Sequence, residues 1–400
     1  MTTTLKRHCP LRLAIFASTL AFVCFTPSYV LSQVRTSMNL STAESRVLVE
    51  VVAGRDIDLI DEFGEKEENR VLSPAFLQKL LTGSIEDIKI GRDLIRISNG
   101  VVNEPLNLEK ASIPYELRME DFIFKSTVSF ANSTVAGDLA LDGSHFLQLA
   151  DFEDIEVKGD GFFRRAVFEG PAIFVDAHIM KFFEVSESQF KNKQQAANFE
   201  SLEVDGQAQF RYVKFEGPYS LRDMRYEYIE ANPNSWKSLM ALVNNSTYSV
   251  DVYRRLETFV ENQGYPDRAK ETYIAQKRRE RRERLTGFAW LASVFLDVSV
   301  GFGKRPELAL IYSLIIVLLG YFVFHNRRGM EPQKSEYASR SYNPVWYSLD
   351  LFVPFLSLQV ENIWMPRSDR RFARNYVYLH TLLGWILIPV GLAALTGIIK

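Results

Sequence analysis

Residues 151–171, DFEDIEVKGDGFFRRAVFEGP, and residues 198–218, NFESLEVDGQAQFRYVKFEGP, carry the same pattern. Phe, Glu, Val, Gly, Arg and Pro recur at a constant offset of 47 residues, which indicates an internal repeat. A finer repeat crosses the same region, because a large apolar residue returns at steps that alternate between five and six. About three extra residues enter this series once, around residues 191–195. Its members are Ile97, Val102, Leu108, Ile113, Met119, Phe124, Phe130, Val135, Leu141, Phe146, Phe152, Val157, Phe163, Phe168, Phe174, Ile179, Val185, Phe190, Phe199, Val204, Phe210, Phe215, Leu221 and Tyr226.

This spacing fits neither an α-helix, which repeats near 3.6 residues, nor an ordinary strand, which repeats near 2. A step of five or six residues fits one wall of a square coil, made of a short extended segment and a corner. Four walls make a coil of about 22 residues, and stacked coils bury one large apolar side chain from each wall. The sequence therefore predicts a quadrilateral β-solenoid of about six coils over residues 97–230.

Small residues and glycines occupy fixed places in the predicted coil. Many inward positions have a small residue two places before them, where a narrow interior leaves little room. These residues are Ser144, Ala150, Gly161, Ala166, Ala172, Ala177, Ala197 and Ala208. Glycines follow other inward positions by two places, where we expect corners with positive φ. They are Gly137, Gly159, Gly170, Gly206 and Gly217.

The pattern resembles the pentapeptide-repeat family, in which a small residue, two further positions and a Leu or Phe recur every five residues. The resemblance covers about a third of the chain, and alternate walls here have six residues instead of five. It implies a right-handed quadrilateral β-helix, and some relatives imitate DNA in shape and charge. Outward positions here mix Lys, Arg, Asp and Glu, and the formal net charge is −2. We therefore predict no nucleic-acid partner and expect a rigid spacer or scaffold.

Residues 1–32 predict a secretory signal or an N-terminal anchor. A basic stretch precedes an apolar run over residues 13–25, which is too short to span a bilayer comfortably. Cleavage and retention as an anchor both place the following domain outside the cytoplasm. Cys9 and Cys24 are the only two cysteines, so removal of this segment leaves no thiol for a disulfide, a zinc site or a nucleophile.

Residues 33–96 form a mixed region that we expect to cap the first coil. Ser73 and Pro74 precede an apolar stretch that ends before Gly83, which is the pattern of one short capped helix. A cap here would cover the exposed edge of the first coil, which otherwise invites aggregation.

Residues 231–290 predict a helical stalk. Apolar residues at helical spacing over 249–263 indicate one helix, and Gly264 and Pro266 end it. A second helix follows and makes an antiparallel hairpin with the first. It ends in the run KRRERRER over residues 277–284. Either this run contacts anionic lipid headgroups through Arg278, Arg279, Arg281, Arg282 and Arg284, or it is a solvated helix with local Glu–Arg pairs.

Residues 291–400 predict a membrane unit, and hence a lipid bilayer as a partner. The apolar runs over 307–325 and 376–399 are long enough to span a bilayer, and an apolar hairpin over 344–363 lies between them. Small residues in the second run offer close-packing surfaces for another helix and allow a homo-oligomer. They are Gly384, Gly391, Ala393 and Gly397.

This layout resembles the two-helix pore unit of potassium channels, and the surrounding residues are similar to the membrane end of pentapeptide-repeat proteins that carry such a unit. A potassium filter needs glycine-rich backbone, yet no glycine lies between Gly329 and Gly384. Asp350 and Glu361 are costly in hydrocarbon. We therefore expect them either to line a polar cavity, as in a pore, or to lie in the headgroup region.

Basic residues on the two sides of the first apolar run predict opposite orientations. Eight lie between the two runs and favour a cytoplasmic loop with an exported solenoid. They are Arg327, Arg328, Lys334, Arg340, Arg367, Arg370, Arg371 and Arg374. The basic run over 277–284 favours the reverse. Together with the predicted signal, the charges favour a multi-pass membrane protein whose solenoid lies outside the cytoplasm.

The chain contains no HExxH, GxSxG, GxGxxG or Walker motif. We therefore predict no catalytic residue, no cofactor and no metal site. The leading hypothesis is a non-enzymatic, membrane-tethered scaffold of the cell envelope, whose solenoid binds a protein or an envelope polymer. The alternative is an oligomeric, channel-like protein built from the C-terminal unit.

Overall fold

The computed structural model describes residues 39–398 except 86, 87, 89, 233, 234 and 357, and most of them belong to a β-solenoid followed by helices. The signal or anchor predicted over residues 1–32 lies outside the described residues. The solenoid has six coils, and strands on the same wall of successive coils pair in parallel. This confirms the predicted fold class.

Each wall is a ladder of short strands. The first contains β2 (Leu94–Ser98), β6 (Glu116–Glu120), β10 (Leu139–Ala140), β14 (Gly161–Phe162) and β18 (Phe183–Glu184). The second contains β3 (Val101–Val102), β7 (Ile123–Phe124), β11 (His145–Phe146), β15 (Val167–Phe168), β19 (Gln189–Phe190) and β22 (Lys214–Phe215). The third contains β4 (Leu106–Asn107), β8 (Val128–Ser129), β12 (Ala150–Asp151), β16 (Ala172–Ile173), β20 (Ala197–Asn198) and β23 (Tyr219–Ser220).

The fourth wall contains β5 (Ser112–Ile113), β9 (Thr134–Val135), β13 (Glu156–Val157) and β17 (His178–Ile179). The longer strand β21 (Glu203–Gln209) pairs with both β17 and β18, so it joins the fourth wall to the first. The last coil ends in β24 (Arg225–Glu230), which pairs with β21 across a register shift. The backbone groups of each wall are therefore satisfied between coils, as a solenoid requires.

Stacked phenylalanines fill the interior. Phe168 stacks on Phe146 and Phe190 with ring centroids 4.7 Å apart in both cases. On the neighbouring wall, Phe152 and Phe174 stack in a second column with ring centroids 4.9 Å apart. The predicted inward residues are buried from Ile97 to Phe210, and the small residues beside them are buried as well. Burial of this apolar series is the main force that holds the coils together.

The prediction of positive φ at five corner glycines is wrong. Positive φ instead recurs inside each five-residue step, two places after the inward residue that begins the step, mostly at polar residues that tolerate the left-handed region. The sites are Asn99, Lys110, Asp121, Asn132, Gly143, Asp154, Arg165, Asp176, Glu187, Ser201, Tyr212 and Asp223. The left-handed corners thus belong to the shorter, five-residue steps.

The five predicted corner glycines are needed for another reason, namely close approach between coils. A Cβ on Gly170 or Gly217 would overlap backbone atoms of the preceding coil. A Cβ on Gly137 would lie only 3.0 Å from the Cα of Glu116. The corners of adjacent coils therefore stack backbone on backbone, which leaves no room for a side chain.

Helices close the first coil. They are α1 (Thr42–Val52), α2 (Leu59–Phe63) and α3 (Pro74–Leu81), and strand β1 (Ile57–Asp58) adds to β2. The hydroxyl of Ser73 accepts a hydrogen bond from the Phe76 amide, which confirms the predicted capped helix. Leu77 and Leu80 of α3 lie in the same buried cluster as the solenoid interior, so this helix packs on the first coil.

Helices also cover the last coil. They are α4 (Trp236–Asn245), α5 (Val250–Asn262) and α6 (Pro266–Arg284). The predicted hairpin of α5 and α6 is confirmed, whereas α4 was not predicted. The Tyr219 hydroxyl donates to the carbonyl of Leu242 at 2.6 Å, and buried Leu256 joins the solenoid cluster. The region predicted as a stalk therefore packs on the solenoid end as a second cap.

The C-terminal region begins with α7 (Gly287–Val300), followed by α8 (Glu307–Phe324), α9 (Pro344–Phe352) and α10 (Arg371–Leu395). Strands β25 (Met330–Pro332) and β26 (Trp364–Pro366) pair in antiparallel fashion between α8 and α10. Within the described residues, α8 and α10 are the two helices long and apolar enough to cross a membrane.

The bounds of α10 differ from the apolar run predicted over 376–399. The helix starts at Arg371 because its polar first turn is helical too, whereas the run marked only its apolar part. It ends at Leu395, and Gly397 then adopts φ +71°. Gly384 and Gly391 pack within the chain, against Phe352 and Ala309, so they are unavailable for contact with another copy.

Candidate functional site

The basic end of α6 is one candidate site, and only part of it faces solvent. Arg279 is buried, and its guanidinium donates to the carbonyl of Val243 and to the Tyr253 hydroxyl, both at 3.2 Å. Its Nε donates to Glu283 at 2.7 Å. Arg279 thus ties α6 to both α4 and α5. These partners use its guanidinium inside the helical cap, and its contact with lipid headgroups stays a prediction.

Arg278 and Arg281 share one carboxylate, that of Asp297 in α7. Arg278 approaches both carboxylate oxygens at 2.9 Å, and Arg281 donates to one of them at 2.9 Å. Burial favours a higher pKa for Asp297, but the hydrogen bonds from Arg278 and Arg281 outweigh it and lower this pKa. The charged triad fixes the angle between α6 and α7.

Arg282 and Arg284 are the predicted arginines that remain most open to solvent. Arg284 lies over the Tyr248 ring, with 4.8 Å between its Cζ and the ring centroid. Arg282 is exposed on the opposite side of α6. Headgroup contact stays a prediction for these two residues and for the exposed part of Arg278.

A second candidate site surrounds Asp350 in α9. One oxygen of its buried carboxylate accepts the amide of Leu358 at 2.7 Å, and the other accepts the amide of Glu361 at 2.9 Å. Asp350 therefore holds the segment after α9 folded back against this helix. Each of its two carboxylate oxygens thus has a backbone donor. Its predicted place, lining a polar cavity or lying in the headgroup region, stays a prediction.

Helix α9 lies between α8 and α10, well inside the length of α8. The hydroxyl of Ser348 donates to the carbonyl of Val317 at 2.8 Å. The ring of fully buried His380 reaches the Ser348 carbonyl at 2.9 Å. A side chain at position 320 of α8 would overlap the Ser348 hydroxyl, so Gly320 leaves the room that Ser348 needs. Helix α9 and the segment that returns from it thus form a hairpin packed against α8 and α10.

Glu361 lies at the end of the returning segment. Its side chain is half-buried, and its carbonyl accepts a hydrogen bond from the Gln333 side chain at 2.7 Å. Gln333 follows β25, so this contact joins the returning segment to the β25–β26 hairpin. The structure thus brings Asp350 and Glu361 together through the Glu361 amide. Both residues lie far along the chain from the arginines of α6.

Comparison with protein-family models, curated proteins and solved structures found no match to this chain. Across the part of the chain that the structure describes, no group of three His, Cys, Asp or Glu side chains is placed to hold a metal ion. The chemistry of the candidate sites therefore follows from their own residues. These residues provide anion-binding guanidinium groups at α6 and a hydrogen-bonded hairpin between α8 and α10.

Sequence reasoning missed Asp297 and His380 as organising residues. Asp297 had a usable signal, because it is the sole charged residue in the apolar stretch from Gly287 to Val300. A lone acid in such a stretch needs a cationic partner, and the arginine run precedes it closely. His380 had a weaker signal, since its partner Ser348 lies 32 residues earlier.

Proposed function

We propose that this chain is a non-enzymatic, membrane-tethered scaffold of the cell envelope. The observation that carries the proposal is the series of element contacts that leads from the solenoid through α4–α7 to two helices of spanning length. A short connection joins α6 to α7, and the Asp297 triad braces it. Motion of a partner on the solenoid would therefore be transmitted to the membrane end.

The outward surfaces of α8 and α10 support membrane anchoring. Large apolar side chains on both helices are exposed, and burial in lipid would remove them from water. On α8 they include Leu310, Leu314, Leu318 and Phe322, and on α10 they include Leu379, Leu382, Trp385 and Leu392. The proposal extends to an orientation with the solenoid outside the cytoplasm and the 325–370 loop inside.

The solenoid's surface supports a role in binding a protein or an envelope polymer. Its outward residues form ion-pair ladders between coils, such as Arg118 with Asp138 at 3.3 Å and Arg164 with Asp142 at 2.5 Å. A mixed-charge face on a rigid tube is typical of repeat proteins that bind through an extended surface.

Anchoring and orientation are tested together on the full chain, with Cys9 and Cys24 replaced by serine. Gln194→Cys on the solenoid and Ser341→Cys in the loop are exposed positions. We expect a membrane-impermeant maleimide to label Gln194→Cys in intact cells and Ser341→Cys only after the membrane is opened. The reverse labelling would contradict the orientation. Release of the chain from membranes by alkaline carbonate would contradict the anchor.

A second candidate function is an oligomeric, channel-like protein. The re-entrant arrangement of α9 between α8 and α10 favours it, because a helix, a re-entrant hairpin and a second helix are the parts of a two-helix pore unit. Exposed Phe355 and Leu356 on the returning segment would face a pore or a neighbouring copy. Purified protein in planar bilayers is then expected to conduct ions, with conductance altered by Asp350→Ala. Absence of conductance in both proteins would remove this candidate.

A further inference from the structure

Arginines from two separate parts of the chain line one cleft at the junction of the helical cap and α8. The cleft has a volume of about 590 Å³ and runs along one face of α6. Arg278, Arg281 and Arg282 come from α6, and Arg305 comes from the turn that precedes α8. The sequence run over 277–284 does not reveal Arg305 as a member, because it lies more than one helix away.

The charge balance in this cleft is positive. Asp297 balances part of the charge of Arg278 and Arg281, and the carboxylate of Glu271 accepts a hydrogen bond from the Trp236 indole at 2.8 Å. No ion pair with Arg282 or Arg305 occurs among the described residues. Four guanidinium groups thus face two carboxylates. Two positive charges remain unbalanced, which suits an anion with two charges or two anionic oxygens.

The cleft adjoins a surface suited to the membrane boundary. Helix α7 continues from the basic end of α6, and its exposed side chains are apolar. Phe288 is 85% exposed, and Leu291 and Val298 are more than half exposed. An apolar helix face beside a cluster of arginines is the composition of a helix that lies in the headgroup layer. The cleft opens where α8 begins, so anchoring through α8 would bring it to this layer.

We propose that this cleft is a phosphate-binding site that takes the headgroup of an anionic phospholipid. The guanidinium fork matches the geometry of phosphate oxygens and binds them with two hydrogen bonds at once. The Asp297 carboxylate holds Arg278 and Arg281 in place, so fewer side-chain rotamers are lost on binding. The proposal rests on the membrane anchoring proposed above, and it names the lipid chemistry that the anchor selects.

The test uses the full chain, purified in detergent and stripped of lipid. Bound lipid is counted by native mass spectrometry during titration with phosphatidylglycerol or with phosphatidylcholine of the same acyl chains. We compare the parent with Arg282→Gln, which changes one exposed side chain, and with Arg282→Gln/Arg305→Gln. The matched control is Arg254→Gln/Arg255→Gln, which removes the same charge from exposed positions on α5. Inorganic phosphate is added in a separate arm as a competitor.

We expect the parent and the α5 control to bind phosphatidylglycerol in preference to phosphatidylcholine. The double cleft variant is expected to lose about tenfold or more in affinity for phosphatidylglycerol, and Arg282→Gln a smaller part of this. Equal binding by the cleft variants and the α5 control would overturn the proposal. Binding of inorganic phosphate without phosphatidylglycerol would assign the site to a soluble anion and overturn the lipid source.

The binding assay and the carbonate extraction test the cleft and the anchor separately. A chain that stays in membranes but shows no preference for phosphatidylglycerol contradicts the cleft proposal alone. A chain that carbonate releases contradicts the anchor, and the detergent titration still reports whether the cleft recognises phosphate.

Discussion

Phe168→Ala is expected to destabilise the solenoid by about 3–5 kcal/mol, the range found when a large buried aromatic side chain is truncated. Phe168 is fully buried and stacks on two phenylalanine rings at 4.7 Å, almost parallel to both. Truncation leaves a cavity between Phe146 and Phe190 that the rigid walls cannot close. The free energy is measured by urea unfolding of the full chain in detergent, followed by the β-sheet circular dichroism signal.

Phe162→Ala is the matched control for that substitution. Phe162 lies six residues earlier on the neighbouring wall, points outward and is half-buried, with Arg164 over its ring at 4.9 Å. We expect its truncation to cost less than about 1 kcal/mol, as for other surface positions. Similar losses for Phe162→Ala and Phe168→Ala would contradict the assignment of inward and outward residues in the coil.

Gly384→Val is expected to disrupt the packing of α9 against α10. A Cβ at Gly384 would overlap the carbonyl oxygen of Phe352 and lie 2.7 Å from its carbonyl carbon, and both are backbone atoms. The helix must therefore move as a whole, and overpacking of this kind costs about 3 kcal/mol, the upper end of its usual range. The expected result is a lower melting temperature in detergent, followed by the fluorescence of the tryptophans near this hairpin.

The control for Gly384→Val is Leu382→Phe, which adds bulk on the exposed side of the same helix. Leu382 is 55% exposed, so the larger side chain meets detergent or lipid instead of α9. We expect its melting temperature to match that of the parent. An unchanged melting temperature in Gly384→Val would show that α9 does not insert between α8 and α10.

The solenoid was predictable from sequence because its periodicity is unlike that of other folds. Each wall presents one large side chain to a narrow interior, so residues such as Phe152, Phe163 and Phe174 mark the walls directly. The corners were less predictable. A glycine in a sequence can mark either positive φ or close approach of two backbones. Gly170 marks close approach, whereas the positive φ lies at Asp154 and Asp176.

The candidate sites were less predictable because their partners are distant in sequence or belong to the backbone. The carbonyl of Val243 and the hydroxyl of Tyr253 bind Arg279, and no pattern of side chains in the basic run encodes these partners. Asp350 likewise binds two amides of the segment that follows α9. Helix α4 did have a signal, because Leu239, Leu242 and Val243 recur at helical spacing and are buried.

We propose a hydrogen-bonded solenoid that stands on helices embedded in lipid. Hydrogen–deuterium exchange of the full chain in lipid nanodiscs tests both parts in one measurement. We predict slow exchange across residues 94–230, where amides bond between coils, and across α8, α9 and α10, which lipid and protein shield from water. Rapid exchange over the solenoid walls, or over α8 and α10 in the presence of lipid, would contradict it.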